Sequence, residues 1–240
     1  MHLGTKKLAL MCIFAALYAV FSSVSLFPII GALGRFITLG AVLAPVVGML
    51  LGPYIGSAAA SIGGFVGWTI TQSGAFGFVS FIPGGSSAFV AGLLTRGKRW
   101  TSVIFYLLLL FAMAFFPIIG PVWLYPLYVW FQLFGLIILI SPASTMAFRC
   151  IQSGSVQKST LSIGIIAMIS TLTGQVAGTL MFEIFVFPVN PHIEFWRTAQ
   201  WQPLALVYPL ERSILTLLAT LMSASLIRAV RTYGFEIGGT

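Results

Sequence analysis

The chain has 240 residues, of which 59% are apolar and only 7% charged, with a mean hydropathy of +1.05. Soluble domains carry about 25% charged residues, so this chain lacks the polar surface needed to face water, and a soluble enzyme, a disordered tail and a secreted disulfide scaffold are excluded. The net charge of +8 comes from twelve Lys/Arg against four acids, all of them Glu, and where each cation stands carries more information than the sum.

A membrane helix needs about 20 consecutive apolar residues. The first such run is residues 8–27, closed by Pro28. An uncharged run, 37–70, follows and is too long for one span. Gly52-Pro53 divides it into short halves, about 37–51 and 54–71, read as tilted, irregular or partly re-entrant. A fourth run covers 77–95. Residues 100–148 carry no charge and make two spans separated at 117–121, the second made irregular by Pro126 and Pro142. The seventh run is 160–187. A wet segment, 188–203, holds Asn190, His192, Glu194 and Arg197, and the eighth run is 205–228.

The reading is therefore an all-α, polytopic membrane protein of about eight transmembrane helices, one domain spanning 1–240. Cations test the count, because Lys and Arg concentrate on the cytoplasmic side. With both termini cytoplasmic, the inner segments hold Lys6, Lys7, Arg96, Lys98, Arg99, Arg149, Lys158, Arg228 and Arg231, and only Arg35, Arg197 and Arg212 fall toward the outside. Losing one span would put a basic cluster on the wrong face. Topology thus accounts for the basic residues without a nucleic-acid partner. Lys6, Lys7 and the apolar run behind them also fit a signal peptide, but its removal would leave an odd span count.

Lipid gives helices no hydrophobic reason to associate, so they pack through small residues that let backbones approach. Ala15 and Ala19 share a face of the first span. Gly48, Gly52, Gly56, Ala60 and Gly64 continue the pattern, as do Ala88 with Gly92 and Gly174 with Gly178. Most of these spacings read as packing within the chain. The Ala15/Ala19 face suits a second subunit equally well.

Several motifs carry no chemistry. The stretch from Gly92 to Arg99 resembles a phosphate-binding loop but lacks the Ser/Thr after Lys98 and a preceding strand. Pro83-Gly-Gly-Ser-Ser87 offers a hydroxyl without a base, since the only histidines are His2 and His192 and there is no Asp. The two histidines and the distant Cys12 and Cys150 make no metal site, and no cofactor is expected. The remaining polar groups collect toward the outer side: Arg35, Gln72, Glu183, Glu211 and Arg212, at the level of Trp68. Pro209 is well placed as a first helical residue, which would make Glu211 a first-turn acid. Glu183 stands in an apolar stretch, where a carboxylate needs a cation, a ligand or a proton. The open alternatives are an outward-facing binding pocket and a structural ion pair of Glu183 with Arg212 or Arg35.

Taken as an ordered set, residues 8–100 resemble the substrate-binding (S) components of energy-coupling-factor transporters, a prokaryotic vitamin-uptake branch of ABC transporters. The set comprises the first span with Ala15 and Ala19, Gly34-Arg35-Phe-Ile-Thr-Leu-Gly40, Leu50-Leu-Gly52-Pro53-Tyr-Ile-Gly56, and Phe81-Ile-Pro83-Gly-Gly with Gly92-Leu-Leu and its basic turn. The helix from Pro209 to Leu226 looks like the last helix of the family. The resemblance implies a subunit of the cell membrane, not an enzyme, that captures a vitamin-like molecule in its outer half. A transmembrane T component and two cytoplasmic ATPases would supply the energy. It also implies that Ala15 and Ala19 dock onto the T component and that the loop carrying Arg35 covers the ligand. Candidate ligand contacts are Arg35, Trp68, Gln72, Glu183, Glu211 and Arg212. The family usually has six helices, so an added pair is expected between about 101 and 187. The alternatives are an autonomous secondary transporter and a membrane-embedded enzyme acting on lipid.

Overall fold

The computed structural model describes residues 5–29, 36–72, 76–116, 126–152, 156–186 and 201–232. Among them the chain is almost wholly helical. The helices are α1 (Thr5–Phe21), α2 (Gly40–Leu51), α3 (Pro53–Thr71), α4 (Phe81–Thr95), α5 (Arg99–Ala114), α6 (Trp130–Ile140), α7 (Pro142–Gln152), α8 (Val156–Met181) and α9 (Trp201–Thr232). The all-α expectation holds, with one small addition. The first run does not stay helical to residue 27. The hydroxyls of Ser22 and Ser23 donate to the carbonyls of Tyr18 and Val20 at 2.8 and 2.6 Å, offering the backbone an alternative to the helix at its end. Beyond them β1 (Ser25–Pro28) pairs antiparallel with β2 (Phe36–Thr38), with a bulge between Ser25 and Phe27.

Among the described residues three stretches are long and apolar enough to cross a membrane: Gly77–Thr95, Gln157–Phe185 and Leu204–Val230. Helices α6 and α7 make a fourth if they form one span bent by 62°; the bend falls at Pro142, where the sequence predicts irregularity. Lys7–Phe21, Gly40–Leu51 and Arg99–Ala114 are apolar but shorter. Helix α2 has 12 residues, about 18 Å at 1.5 Å per residue, against a hydrocarbon layer of about 30 Å. It is nevertheless buried, with Val42, Leu43, Ala44, Val46 and Val47 at 0% exposure. Such a short piece is tolerated at membrane depth when protein rather than lipid surrounds it.

The break between α2 and α3 falls at Gly52, as expected. Its φ of 84° with ψ of −179° is a conformation essentially confined to glycine. Pro53 then opens α3 at a position where its missing N–H costs nothing. The Arg96 side chain lies against Gly52 where a Cβ would stand, and its guanidinium reaches the Leu51 carbonyl at 3.5 Å, suiting the negative end of α2.

Helix α8 is central, packed against α2, α4, α5, α6, α7 and α9. Helix α9 corrects the sequence reading. It begins at Trp201, so Pro209 lies inside it and Glu211 about three turns from its start. A proline inside a helix leaves the carbonyl four residues back without its donor. That carbonyl belongs to Ala205, and the Trp130 indole N–H donates to it at 2.8 Å. The long helix thus tolerates its proline through a side chain of α6.

The small-residue face of α1 turns inward. Ala15 is 8% exposed, its carbonyl lies against Gly63 of α3, and the carbonyl of Ala19 faces Gly67. This is the packing within the chain that the spacing allowed. Ile13, Leu17 and Val20, on the other side of α1, are exposed.

Gly52→Ala places a side chain both in a forbidden backbone conformation and on Arg96. It is expected to destabilise the protein by about 1–3 kcal/mol, read as a lowered melting temperature in detergent; an unchanged melting temperature would show that this junction does not hold the two helices.

Candidate functional site

One cavity, of about 150 Å³, gathers three of the six side chains expected to act together. It lies where α1, α3 and α8 end and where α2 and α4 begin. Tyr18 and Ser22 of α1, Ala41 and Ala44 of α2, and Gly64, Trp68 and Thr71 of α3 form one side. The hairpin spans it with Pro28, Phe36, Ile37 and Thr38. Pro83, Gly84 and Ser87 of α4 come next, so part of the Pro-Gly-Gly-Ser-Ser motif lines the wall. Helix α8 contributes Thr171, Gly174, Gln175, Gly178 and Thr179, and α9 contributes Tyr208, Glu211 and Arg212. Among the described lining residues, none comes from α5, α6 or α7.

Helix periodicity explains these two groups. Residues three and four apart share a face. Tyr208, Glu211 and Arg212 have that spacing, and so do Thr171, Gln175 and Thr179, with Gly174 and Gly178 leaving room between them. The Arg212 guanidinium stands 6.0 Å over the Tyr208 ring, a cation–π distance. Tyr208 meets the ring of Tyr128 edge-on at 6.0 Å, and the Tyr128 hydroxyl is 3.0 Å from that of Thr179. The aromatic pair thereby braces the carrier of the charges against α8.

Four of these polar side chains are at least nine-tenths buried: Ser87 at 3% exposure, Gln175 at 3%, Glu211 at 8% and Arg212 at 9%. In each, one buried atom has no hydrogen-bond partner among the described residues: Ser87 Oγ, Gln175 Oε1, Glu211 Oε2 and Arg212 Nε. Buried polar atoms are nearly always satisfied, and leaving one unmade costs about 1–3 kcal/mol. Among the described residues none satisfies these four, and as residues lining a cavity they are open to what enters it, whether water or a solute. Together they present two acceptors, one donor and one hydroxyl able to do either.

The six predicted contacts therefore divide. Trp68, Glu211 and Arg212 share the cavity, with Trp68 half-buried and 5.8 Å from the Phe65 ring. Gln72 does not line it. It takes a left-handed conformation (φ 50°) as the exposed cap of α3, its N–H donating to the Trp68 carbonyl at 2.7 Å, which is a structural use. Glu183 is 2% exposed and sits in a π-helical turn, Phe182–Val186, that continues α8. It stands behind the cavity, in electrostatic reach of Tyr128 and Tyr208, while its neighbour Phe182 lines the wall. Its Oε2 has no partner among the described residues, and no ion pair with Arg212 forms. Arg35 lies outside the described residues, as do His2, His192, Glu194 and Arg197.

Sequence reasoning passed over Gln175 and Ser87. The signal for Gln175 was present as a Thr-Gln-Thr row at four-residue spacing on an otherwise apolar span, interleaved with the two glycines. The opposite end of the same helices carries Arg96, Lys98 and Arg99 together with Arg149, Lys158 and Arg228. There Arg99 donates to the Thr145 hydroxyl and Arg228 to that of Thr160, each at 3.0 Å. Compared with protein-family models, with curated proteins and with solved structures, the chain matches none.

Gln175→Leu removes from the wall, at similar volume, an amide whose Oε1 has no partner among the described residues. The melting temperature of the ligand-free protein is expected to stay the same or rise by the equivalent of about 1 kcal/mol, whereas a drop of several degrees would mean that Gln175 holds the helices together.

Proposed function

We propose that this chain is the substrate-capture subunit of an energy-coupling-factor importer, a multi-pass protein of a prokaryotic cell membrane. It would bind a small nutrient from outside and hand it inward with a T component and two ATPases. The observation that carries this reading is the cavity with four deeply buried polar atoms that no described residue satisfies. A mostly apolar pocket with a few placed polar groups is the usual form of a small-molecule site. A volume of about 150 Å³ is that of a pocket accepting one six-membered ring.

Two further features support it. The described lining comes from α1–α4, α8 and α9 and from the segments joining them, a set that would supply the six-helix core of the resemblance. Helices α5–α7, lying between residues 99 and 152, pack outside that lining as an added pair would. The hairpin between α1 and α2 spans the cavity, where the resemblance expects a ligand-covering loop. With eight crossings and both termini cytoplasmic, the cluster around Arg96–Arg99, Arg149, Lys158 and Arg228 faces inward and the cavity outward, satisfying the positive-inside rule. Since the Ala15/Ala19 face is used by α3, the T component would meet the exposed side of α1, at Ile13, Leu17 and Val20, in a setting shared with membrane lipid.

Glu183 favours one second reading. A buried carboxylate within a membrane span is the kind of group through which ion- or proton-driven transporters work, and an autonomous secondary transporter would use it. The two readings separate cleanly. Affinity purification from native membranes is expected to bring down a T component and two ATPases, identified by mass spectrometry, together with a small molecule released on denaturation. Ion- or proton-gradient-driven uptake by this chain alone in proteoliposomes would overturn the importer-subunit reading.

A further inference from the structure

The charges of the cavity define the chemistry of its occupant. Glu211 and Arg212 are neighbours on α9, both line the wall, and both are more than nine-tenths buried. They carry opposite charge and interact electrostatically, yet each keeps a buried polar atom with no hydrogen-bond partner among the described residues. Glu211 keeps an acceptor unused and Arg212 a donor. On α8 Gln175 keeps a second acceptor unused, and on α4 Ser87 a hydroxyl. An anionic solute would answer Arg212 and be repelled by Glu211; a cation would do the reverse. A neutral ring would supply hydrogen bonds but leave each buried charge with only its neighbour on α9 as counter-charge, and burial is costly for such groups. A solute with both charges satisfies both. The lining also offers flat aromatic faces, at Trp68, Phe76, Phe182 and Tyr208, and the volume suits one ring.

The geometry points to a small zwitterion, an ammonium and a carboxylate carried on an aromatic or apolar body of about one ring, as the class of solute this cavity takes. This rests on the capture reading above and narrows it. The ammonium meets Glu211 and the Gln175 carbonyl oxygen, the carboxylate meets the guanidinium of Arg212, and the ring lies among the aromatic side chains.

The test uses the full chain in detergent, freed of bound solutes by washing, and equilibrium binding of three matched probes: phenylalanine, phenethylamine and 3-phenylpropionate. Phenylalanine is expected to bind at least tenfold more tightly than either singly charged probe. Glu211→Gln is expected to weaken phenylalanine at least tenfold while leaving 3-phenylpropionate unchanged or tighter. Arg212→Gln should do the same for phenethylamine, and if that variant does not fold, the Glu211→Gln pair of measurements decides alone. Preference for a singly charged probe, equal loss of both probes in Glu211→Gln, or binding of none of the three overturns the zwitterion assignment. The capture reading is judged separately, by the molecule and the subunits that copurify, and stands if a solute of another class is released.

Discussion

Glu211 and Arg212 lie side by side on a helix long and apolar enough to cross a membrane, buried and oppositely charged, each with a polar atom that no described residue satisfies. Charge taken out of water without a partner is among the most expensive states a protein can hold, so the surrounding architecture has to keep these groups from relaxing toward each other or toward lipid. Their neighbours do this. Tyr208 sits one turn before Arg212 under its guanidinium, and the Tyr128–Thr179 contact fixes the aromatic pair to α8. Pro209, inside α9, is supported through Trp130. The cavity is therefore a feature with walls rather than a gap between helices.

Those walls depend on backbones that touch. Gly48 meets the backbone of Ala88, Gly92 that of Gly52-Pro53, and Gly63 that of Ala15. Each contact occupies the place of a side chain, which is how helices associate where lipid supplies no hydrophobic drive. The tight contacts of α1–α4 set a rigid frame at the basic end and along the middle. At the other end the helices have space between them, and the hairpin of β1 and β2 spans it.

Much of this architecture follows from composition and spacing. The apolar runs, the division at Gly52-Pro53 and the bend at Pro142 depend on local chemistry that no tertiary contact overrides. Trp68, Glu211 and Arg212 stood out because polar or aromatic groups near the ends of apolar spans are few. Other features depend on partners distant in sequence. Pro209 reads locally as a helix start, and only the indole of Trp130, from another helix, lets α9 run through it. Ser22 and Ser23 end α1 early through bonds to their own backbone, a choice that hydropathy does not register. Ala15 and Ala19 form a smooth face whose partner, α3 or another subunit, the spacing alone does not distinguish. Gln175 was hidden by the glycines beside it, which explain the same face as packing.

The most direct measurement is an electron-density map of the cavity in the protein purified from its native membranes. The account predicts non-protein density in contact with both Glu211 and Arg212, with a flat portion against Trp68 or Tyr208. A map in which Glu211 and Arg212 are each paired with protein side chains, and the cavity is closed by their movement, would contradict it.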